Sequence, residues 1–206
     1  MNREKILEGI KKAFEVKKPR NFVQTLEMII NFRNVDFKKN RLNIRFPLPR
    51  GKGKENKVIV VADESTLYQI KDLPVDIKLT PEEVPNFPIK ELKKIAKKAV
   101  VYVQPQYIPL VAKHWGKVLG GRGNTILPFV GDPKTLIERG KNMVRIVTRG
   151  KMVPTVHVPI GTEEMSPEAL ADNAMAVLDE LAKKNLTSNI KNIYFKFSMS
   201  PPVKVV

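Results

Sequence analysis

Cysteine is absent from this sequence. That excludes a disulfide framework and any thiolate metal site, and it fits a cytoplasmic protein. Histidine occurs twice, as His114 and His157, in distant parts of the chain. No carboxylate sits at ligand spacing from His157, and His114 beside Trp115 reads as structural, so neither a zinc centre nor a Cys/His nucleophile is indicated. Long apolar runs are missing too. The stretches 58–62 and 99–103 are far too short to span a bilayer, and the N-terminus enters a charged amphipathic pattern instead of a signal peptide's apolar run. Serines are sparse and no Gly-x-Ser-x-Gly elbow occurs. Carboxylate pairs at 63–64, 82–83 and 163–164 sit at helix starts, where the helix dipole favours them. No catalytic constellation emerges, and no cofactor or metal is expected.

Negative charge is scarce: 21 Asp+Glu stand against 37 Lys+Arg, a net of +16 over 206 residues. A folded chain this basic repels itself, which points to a polyanionic partner. The excess is unevenly placed. Residues 1–57 hold 16 Lys+Arg and 6 Asp+Glu, residues 58–133 hold 10 and 8, and residues 134–206 hold 11 and 7. The two ends therefore carry most of it, and the middle is nearly neutral.

The pattern of elements divides the chain in the same way. Residues 2–16 place Ile6, Leu7, Ile10 and Phe14 at helical spacing, with Asn2 able to cap. Pro19 stops that helix, and Lys17, Lys18 and Arg20 form a cationic corner before an alternating stretch with Phe22, Thr25 and Glu27. Residues 41–48 alternate sharply, which predicts an antiparallel pair with the strand near 22–32. Residues 50–57 lack apolar side chains and read as a flexible basic linker containing Arg50 and Lys52. Beyond it, apolar runs alternate with helical patterns, predicting a mostly parallel sheet. Near 129–133 the pattern reverts: a short helix at 134–142, a hairpin over 143–160 with its tip at 149–151, a capped helix from Ser166, and a final strand around 193–197.

The expected architecture is thus two domains: a split α+β domain from 1–55 plus 134–206, interrupted by an inserted α/β domain at 56–133. Hinges are expected near 51–57 and 130–134. The glycine-rich stretch 116–123 fails as a phosphate loop, since Arg122 stands where Lys-Ser/Thr would follow and the stretch ends a helix. Gly121, Arg122 and Gly123 read either as a backbone loop able to approach an RNA closely or as a simple helix cap.

Several segments resemble one family together and in matching order: 18–27 (Lys-Pro-Arg-Asn-Phe-Val-Gln-Thr-Leu-Glu), 48–54 (Leu-Pro-Arg-Gly-Lys-Gly-Lys), 119–123 (Leu-Gly-Gly-Arg-Gly), 148–151 (Thr-Arg-Gly-Lys) and 198–203 (Ser-Met-Ser-Pro-Pro-Val). The chain resembles the L-one family of large-subunit ribosomal proteins in its archaeal form, over essentially its whole length. The resemblance implies a split RNA-binding domain with a Rossmann-like insert. It also implies a non-enzymatic protein, monomeric when free, that binds the stalk of the large-subunit rRNA. There such proteins form the mobile lateral stalk that assists release of deacylated tRNA from the E site, and they repress translation by binding their own mRNA leader. Carried over by position, Phe22, Thr25 and Glu27 match the RNA-reading strand, Lys151 the basic tip, and Ser198 with Met199 a Thr-Met pair. Ser200, Gly150 and Gly121 stand where the family usually has Gly, Asp and Pro. Thr25, Glu27, Ser198 and Met199 are expected to give specificity, and Lys17, Lys18, Arg20, Arg50 and Lys52 affinity, with Ser200 also expected at the RNA, where it restricts close backbone approach. A rival class, an RNA-acting enzyme with a catalytic insert, would need convergent titrating residues there.

Overall fold

The computed structural model describes residues 2–37, 39, 41–121, 124–148 and 154–205. The chain divides into two compact units, Met1–Lys54 with Val144–Val206, and Glu55–Met143. In chain order the elements are α1 (Arg3–Glu15), β1 (Thr25–Phe32), β2 (Asn43–Pro47), β3 (Lys57–Val61), α2 (Glu64–Gln69), β4 (Ile77–Leu79), α3 (Ile89–Ile95), β5 (Ala99–Val103), α4 (Ile108–Gly121), β6 (Ile126–Pro128), α5 (Pro133–Lys141), β7 (Met143–Val147), β8 (Thr155–Thr162), α6 (Pro167–Ala182), β9 (Ile190–Phe197) and β10 (Val203–Lys204).

In the first unit an antiparallel sheet runs β10-β9-β1-β8. Its strands alternate cleanly. Leu26, Met28, Ile30 and Phe32 of β1 are buried, as are Ile193, Phe195 and Phe197 of β9 and Val156, Val158 and Ile160 of β8. They share one core with Ile6 and Ile10 of α1 and Leu170, Ala174, Val177 and Leu181 of α6. Both helices start on side-chain caps: Asn2 accepts from Glu4 N–H at 3.1 Å, and Ser166 from Ala169 N–H at 3.2 Å with Pro167 in the first turn. Gly9 lets the C-terminus lie against α1, since a β-carbon there would meet Val205 Cγ2 at 2.3 Å.

Strand pairing corrects two expectations. β2 pairs with β7, not with β1, because β1 has β8 and β9 hydrogen-bonded on its two sides. Nor do β7 and β8 form the expected hairpin: they lie in different sheets, and the tip at 149–151 is outside the described residues. Alternation names the face that a strand buries, and Leu42, Ile44 and Phe46 do point into the core, but it does not name the neighbour.

The second unit is a four-stranded parallel sheet, order β4-β3-β5-β6, with helices on both faces. Ile59, Val61, Val101 and Val103 pack against Leu92 of α3 and Val111, Trp115 and Leu119 of α4. Val58, Val60, Val100 and Tyr102 pack on the other side with Ile70 and Ile137. Such double coverage explains the uninterrupted apolar runs of β3 and β5. Helix α5 belongs to this unit, against the expectation that the second crossing lies near 130–134. Its Ile137 is buried beneath the sheet, and a β-carbon on Gly140 would meet Tyr102 Cε2 at 2.8 Å, so the crossing falls at 143/144.

The first crossing is not the loose linker its composition suggested. Gly51 and Gly53 adopt left-handed backbone (φ 76° and 77°), and Gly53 abuts Thr162, where a β-carbon would come within 2.6 Å of the hydroxyl. Fully buried Asn173 of α6 holds this segment. Its Oδ1 accepts from Arg50 N–H at 2.9 Å, and its Nδ2 donates to Gly51 O and Ile160 O, each at 2.8 Å.

Candidate nucleic-acid interface

Pro19 breaks the chain after α1, and the five residues before β1 fold into a corner instead of a strand. Gln24 organises that corner from within. It is fully buried, its Nε2 donates to Lys18 O at 2.8 Å, and its Oε1 accepts from Met199 N–H at 3.2 Å. Its own N–H goes to Glu163 Oε1 at 2.8 Å, and its carbonyl accepts from Glu163 N–H at 3.0 Å. One buried amide therefore ties the corner to the end of β8 and to the turn after β9. All four polar groups of Gln24 thus have partners, which burial demands.

Two serines complete the junction. Ser198 exchanges hydrogen bonds with Thr25: its Oγ accepts from Thr25 N–H at 3.2 Å and its N–H donates to Thr25 O at 3.1 Å. Ser200 Oγ accepts from Lys18 N–H at 3.2 Å. Ser200 is 6% exposed, and its hydroxyl helps position the cationic corner.

Lys17 is engaged within the fold as well. Its ammonium pairs with Glu163 and lies 5.8 Å from the rings of both Phe14 and Phe197, with both partners largely covered. That is a structural cation. The Glu163 carboxyl is held below the usual glutamate range by this Lys17 hydrogen bond first and by the Gln24 N–H second. Arg50 is likewise engaged: its Nε bonds Asp172 Oδ2 at 2.8 Å, and Arg3 takes the other oxygen at 2.7 Å. The two guanidinium groups hold the Asp172 carboxyl down. Arg50 remains 60% exposed and keeps donors for another partner. Lys52 also has a partner within the protein.

Exposed at the surface of the knot are Lys18, Arg20, Phe22 and Met199, the two apolar side chains being 50% and 53% accessible. Thr25 and Glu27 are half-exposed on the sheet face turned away from the helices. Glu27 stands opposite Lys196 of β9, and His157 Nδ1 approaches its Oε2 at 3.7 Å. The arrangement offers short-reach hydroxyl and carboxylate groups, an exposed aromatic ring and thioether, and flanking cations. Such a set suits sugar hydroxyls, unstacked bases and phosphates together.

A sequence model of the ribosomal protein L1p/L10e family matches residues 11–201. The chain belongs to that family. Among L1-family relatives, the large ribosomal subunit protein uL1 of Archaeoglobus fulgidus is 37% identical over 215 aligned positions, spanning 100% of this chain and 99% of the relative. Those of Thermococcus kodakarensis and Methanothermobacter thermautotrophicus are 36% and 34% identical, covering 99% and 98% of this chain and 98% and 99% of their own. The relatives are archaeal, which makes this an archaeal-type L1 chain.

Of the candidate residues, the fold brings Lys18, Arg20, Phe22, Thr25, Glu27, Ser198 and Met199 to one end of the sheet in the first unit. Lys151, Arg122 and Gly123 lie outside the described residues. Gly121 is in the second unit, as the last residue of α4. Sequence reasoning missed the parts that hold the site: Glu163, Asn173, and Lys54, whose ammonium bonds Val23 O. In the sequence Gln24 is one of the short-reach polar residues beside Thr25 and Glu27, with no role of its own. A polar side chain on the apolar face of an otherwise alternating strand was the available signal. Among the described residues no group of three or more His, Cys, Asp or Glu could hold a metal, and no helix is long and apolar enough to cross a membrane.

Proposed function

We propose that this chain is a structural, non-enzymatic component of the large ribosomal subunit, ribosome-bound in the cytoplasm, and that its first unit binds large-subunit rRNA. The observation that carries this reading is the Gln24 knot. It brings a cationic corner and the Ser198–Met199 turn, which are 175 residues apart in sequence, into one hydrogen-bonded surface. In this reading the bound RNA is the stalk, and the chain forms its mobile lateral arm, assisting release of deacylated tRNA from the E site. The same surface binds the mRNA leader when the chain represses its own synthesis. The second unit, a parallel sheet with helices on both faces, supports a Rossmann-like assignment for the insert.

Thr25, Glu27, Ser198, Phe22 and Met199 supply specificity, while Lys18, Arg20 and the remaining donors of Arg50 supply phosphate contacts. The test is binding of a stalk rRNA fragment by the full chain across a salt series. Thr25→Ala and Met199→Ala are expected to weaken binding with the salt slope unchanged, whereas Lys18→Ala lowers that slope by about one unit. Binding that is no tighter for the stalk fragment than for unrelated RNA defeats the proposal.

A further inference from the structure

The second unit, Glu55–Met143, carries a net of +4, and its positive charge is concentrated in one stretch. Helices α3 and α4 lie on the same side of the sheet, where Leu92, Val111, Trp115 and Leu119 share one core. Phe87 packs on Trp115 with ring centroids 5.5 Å apart, and the Trp115 indole donates to Val84 O at 3.2 Å, fixing α4 against the segment that leads into α3. At the far end Asn124 donates to Ala96 O (3.1 Å) and Ala99 O (2.6 Å), closing the exit of α4 onto the end of α3.

Residues 89–124 contain Lys90, Lys93, Lys94, Lys97, Lys98, Lys113, Lys117 and Arg122 against Glu91 alone. The rest of the unit, 55–88 and 125–143, contains six Lys+Arg and nine Asp+Glu. All seven of these lysines are exposed. The unit's ion pair among the described residues, Lys141–Glu55, lies on α5, which packs on the opposite side of the sheet. The lysines are also in phase. Lys90, Lys93, Lys94 and, in the following turn, Lys97 share one face of α3, and Lys113 and Lys117 share one face of α4 with Gly116 and Gly120. Glycine inside a helix is unfavourable, and a β-carbon added to Gly116 or Gly120 would meet nothing within 4 Å, so internal packing does not require either. Their effect is to leave the helix surface open, Gly116 between Lys113 and Lys117 and Gly120 just beyond, where a chain of phosphates can approach the lysines closely.

We propose that the outer faces of α3 and α4 form a sequence-independent phosphate-binding surface for a second RNA helix, so that one chain bridges two RNA segments. The proposal rests on the rRNA reading only for the identity of the first segment. A lysine-lined surface without an aromatic platform reads backbone charge and not bases, so affinity here depends steeply on salt and little on sequence.

The experiment uses the full chain, alone and saturated with the stalk rRNA fragment, titrated with a fluorescent RNA duplex of unrelated sequence about 16 base pairs long. The triple variant Lys93→Glu/Lys94→Glu/Lys97→Glu is compared with Lys11→Glu/Lys184→Glu/Lys191→Glu, which changes the net charge equally on exposed sites of the first unit. The expected result is a loss of duplex affinity of more than tenfold for the α3 variant, with the salt slope lower by about two to three units. The control variant is expected to lose less than threefold, and both variants keep stalk binding within about threefold. Equal losses for the two variants, or no duplex binding by the stalk-saturated wild type, overturn the proposal. Displacement of the duplex by polyglutamate as readily as by RNA of equal charge overturns it too, assigning the surface to an acidic protein instead. Failure of the wild type to bind the stalk fragment is a separate outcome that removes the rRNA reading, while the free-chain titrations still decide this one.

Discussion

The side-chain oxygen of Gln24, fully buried, accepts the backbone N–H of Met199, whose own side chain is among the most exposed apolar groups of the molecule. An exposed thioether usually wanders; this one is anchored at its backbone by an amide that is itself held to Lys18. Preorganisation of that kind lowers the ordering cost of binding.

Gln24→Leu removes both side-chain bonds while keeping similar volume. It leaves Lys18 O and Met199 N–H without this partner, at about 1–3 kcal/mol for each orphaned group, so a total loss on the order of 2–4 kcal/mol is expected. Urea unfolding measures it. Affinity for the stalk fragment should fall as well, because the corner carrying Lys18 and the Met199 turn lose their tie. A variant of unchanged stability would show that the knot does not hold the corner in place.

Glu163 and Lys17 predict an acid-side effect. The folded-state pKa of Glu163 is depressed, chiefly by Lys17, so the pair's contribution is present above the ordinary glutamate value of about 4.3 and is lost as pH falls through the lower folded value. Glu163→Gln should therefore cost about 1–3 kcal/mol at pH 7. The gap between variant and wild type should then narrow steadily below a pH of about 4.3. Thermal unfolding from neutral pH downward checks this, and a gap independent of pH would assign the loss to packing.

Thr162 has a buried hydroxyl without a hydrogen-bond partner among the described residues. Thr162→Val keeps the shape and removes the unsatisfied group, so the change should be neutral or stabilising by up to about 1 kcal/mol. Chemical denaturation midpoints decide the sign.

Gly9 and Gly116 are both helical and should respond oppositely to alanine. A β-carbon on Gly9 collides with Val205, so Gly9→Ala should lose about 1–3 kcal/mol through overpacking. Gly116 faces open space, and Gly116→Ala should gain about 0.5–1 kcal/mol from helix propensity. Melting temperatures of the two variants, measured together, provide the comparison.

Much of the fold was legible in the chain. Asn2, Ser166 and Pro167 announce their helices because capping is local chemistry. Residues 58–62 and 99–103 announce parallel strands because a sheet covered on both faces needs apolar side chains in both directions. The basic corner at Lys18 and Arg20 and the exposed pair Phe22 and Met199 could be nominated in the same way, as residue types with chemistry to offer. Neighbours were not legible: β2 joined β7, α5 joined the second unit through Ile137 and Gly140, and the glycines of 50–54 proved to be a fastened turn. Each of those outcomes depends on partners distant in sequence or on a close approach that no local pattern encodes.

The sequence by itself determined which surfaces are apolar, where the helices begin and that the chain seeks a polyanion, because burial, capping and net charge are properties of residues and their spacing. Tertiary structure alone decided the roles within the site. Lys17 and Ser200 stand in the sequence as exposed chemistry and gain partners in the fold, because Glu163 pairs with the first and Lys18 N–H bonds the second. Gln24 looks ordinary and becomes the centre, because a buried amide must find partners for every donor and acceptor, and here those partners come from segments that only folding brings together.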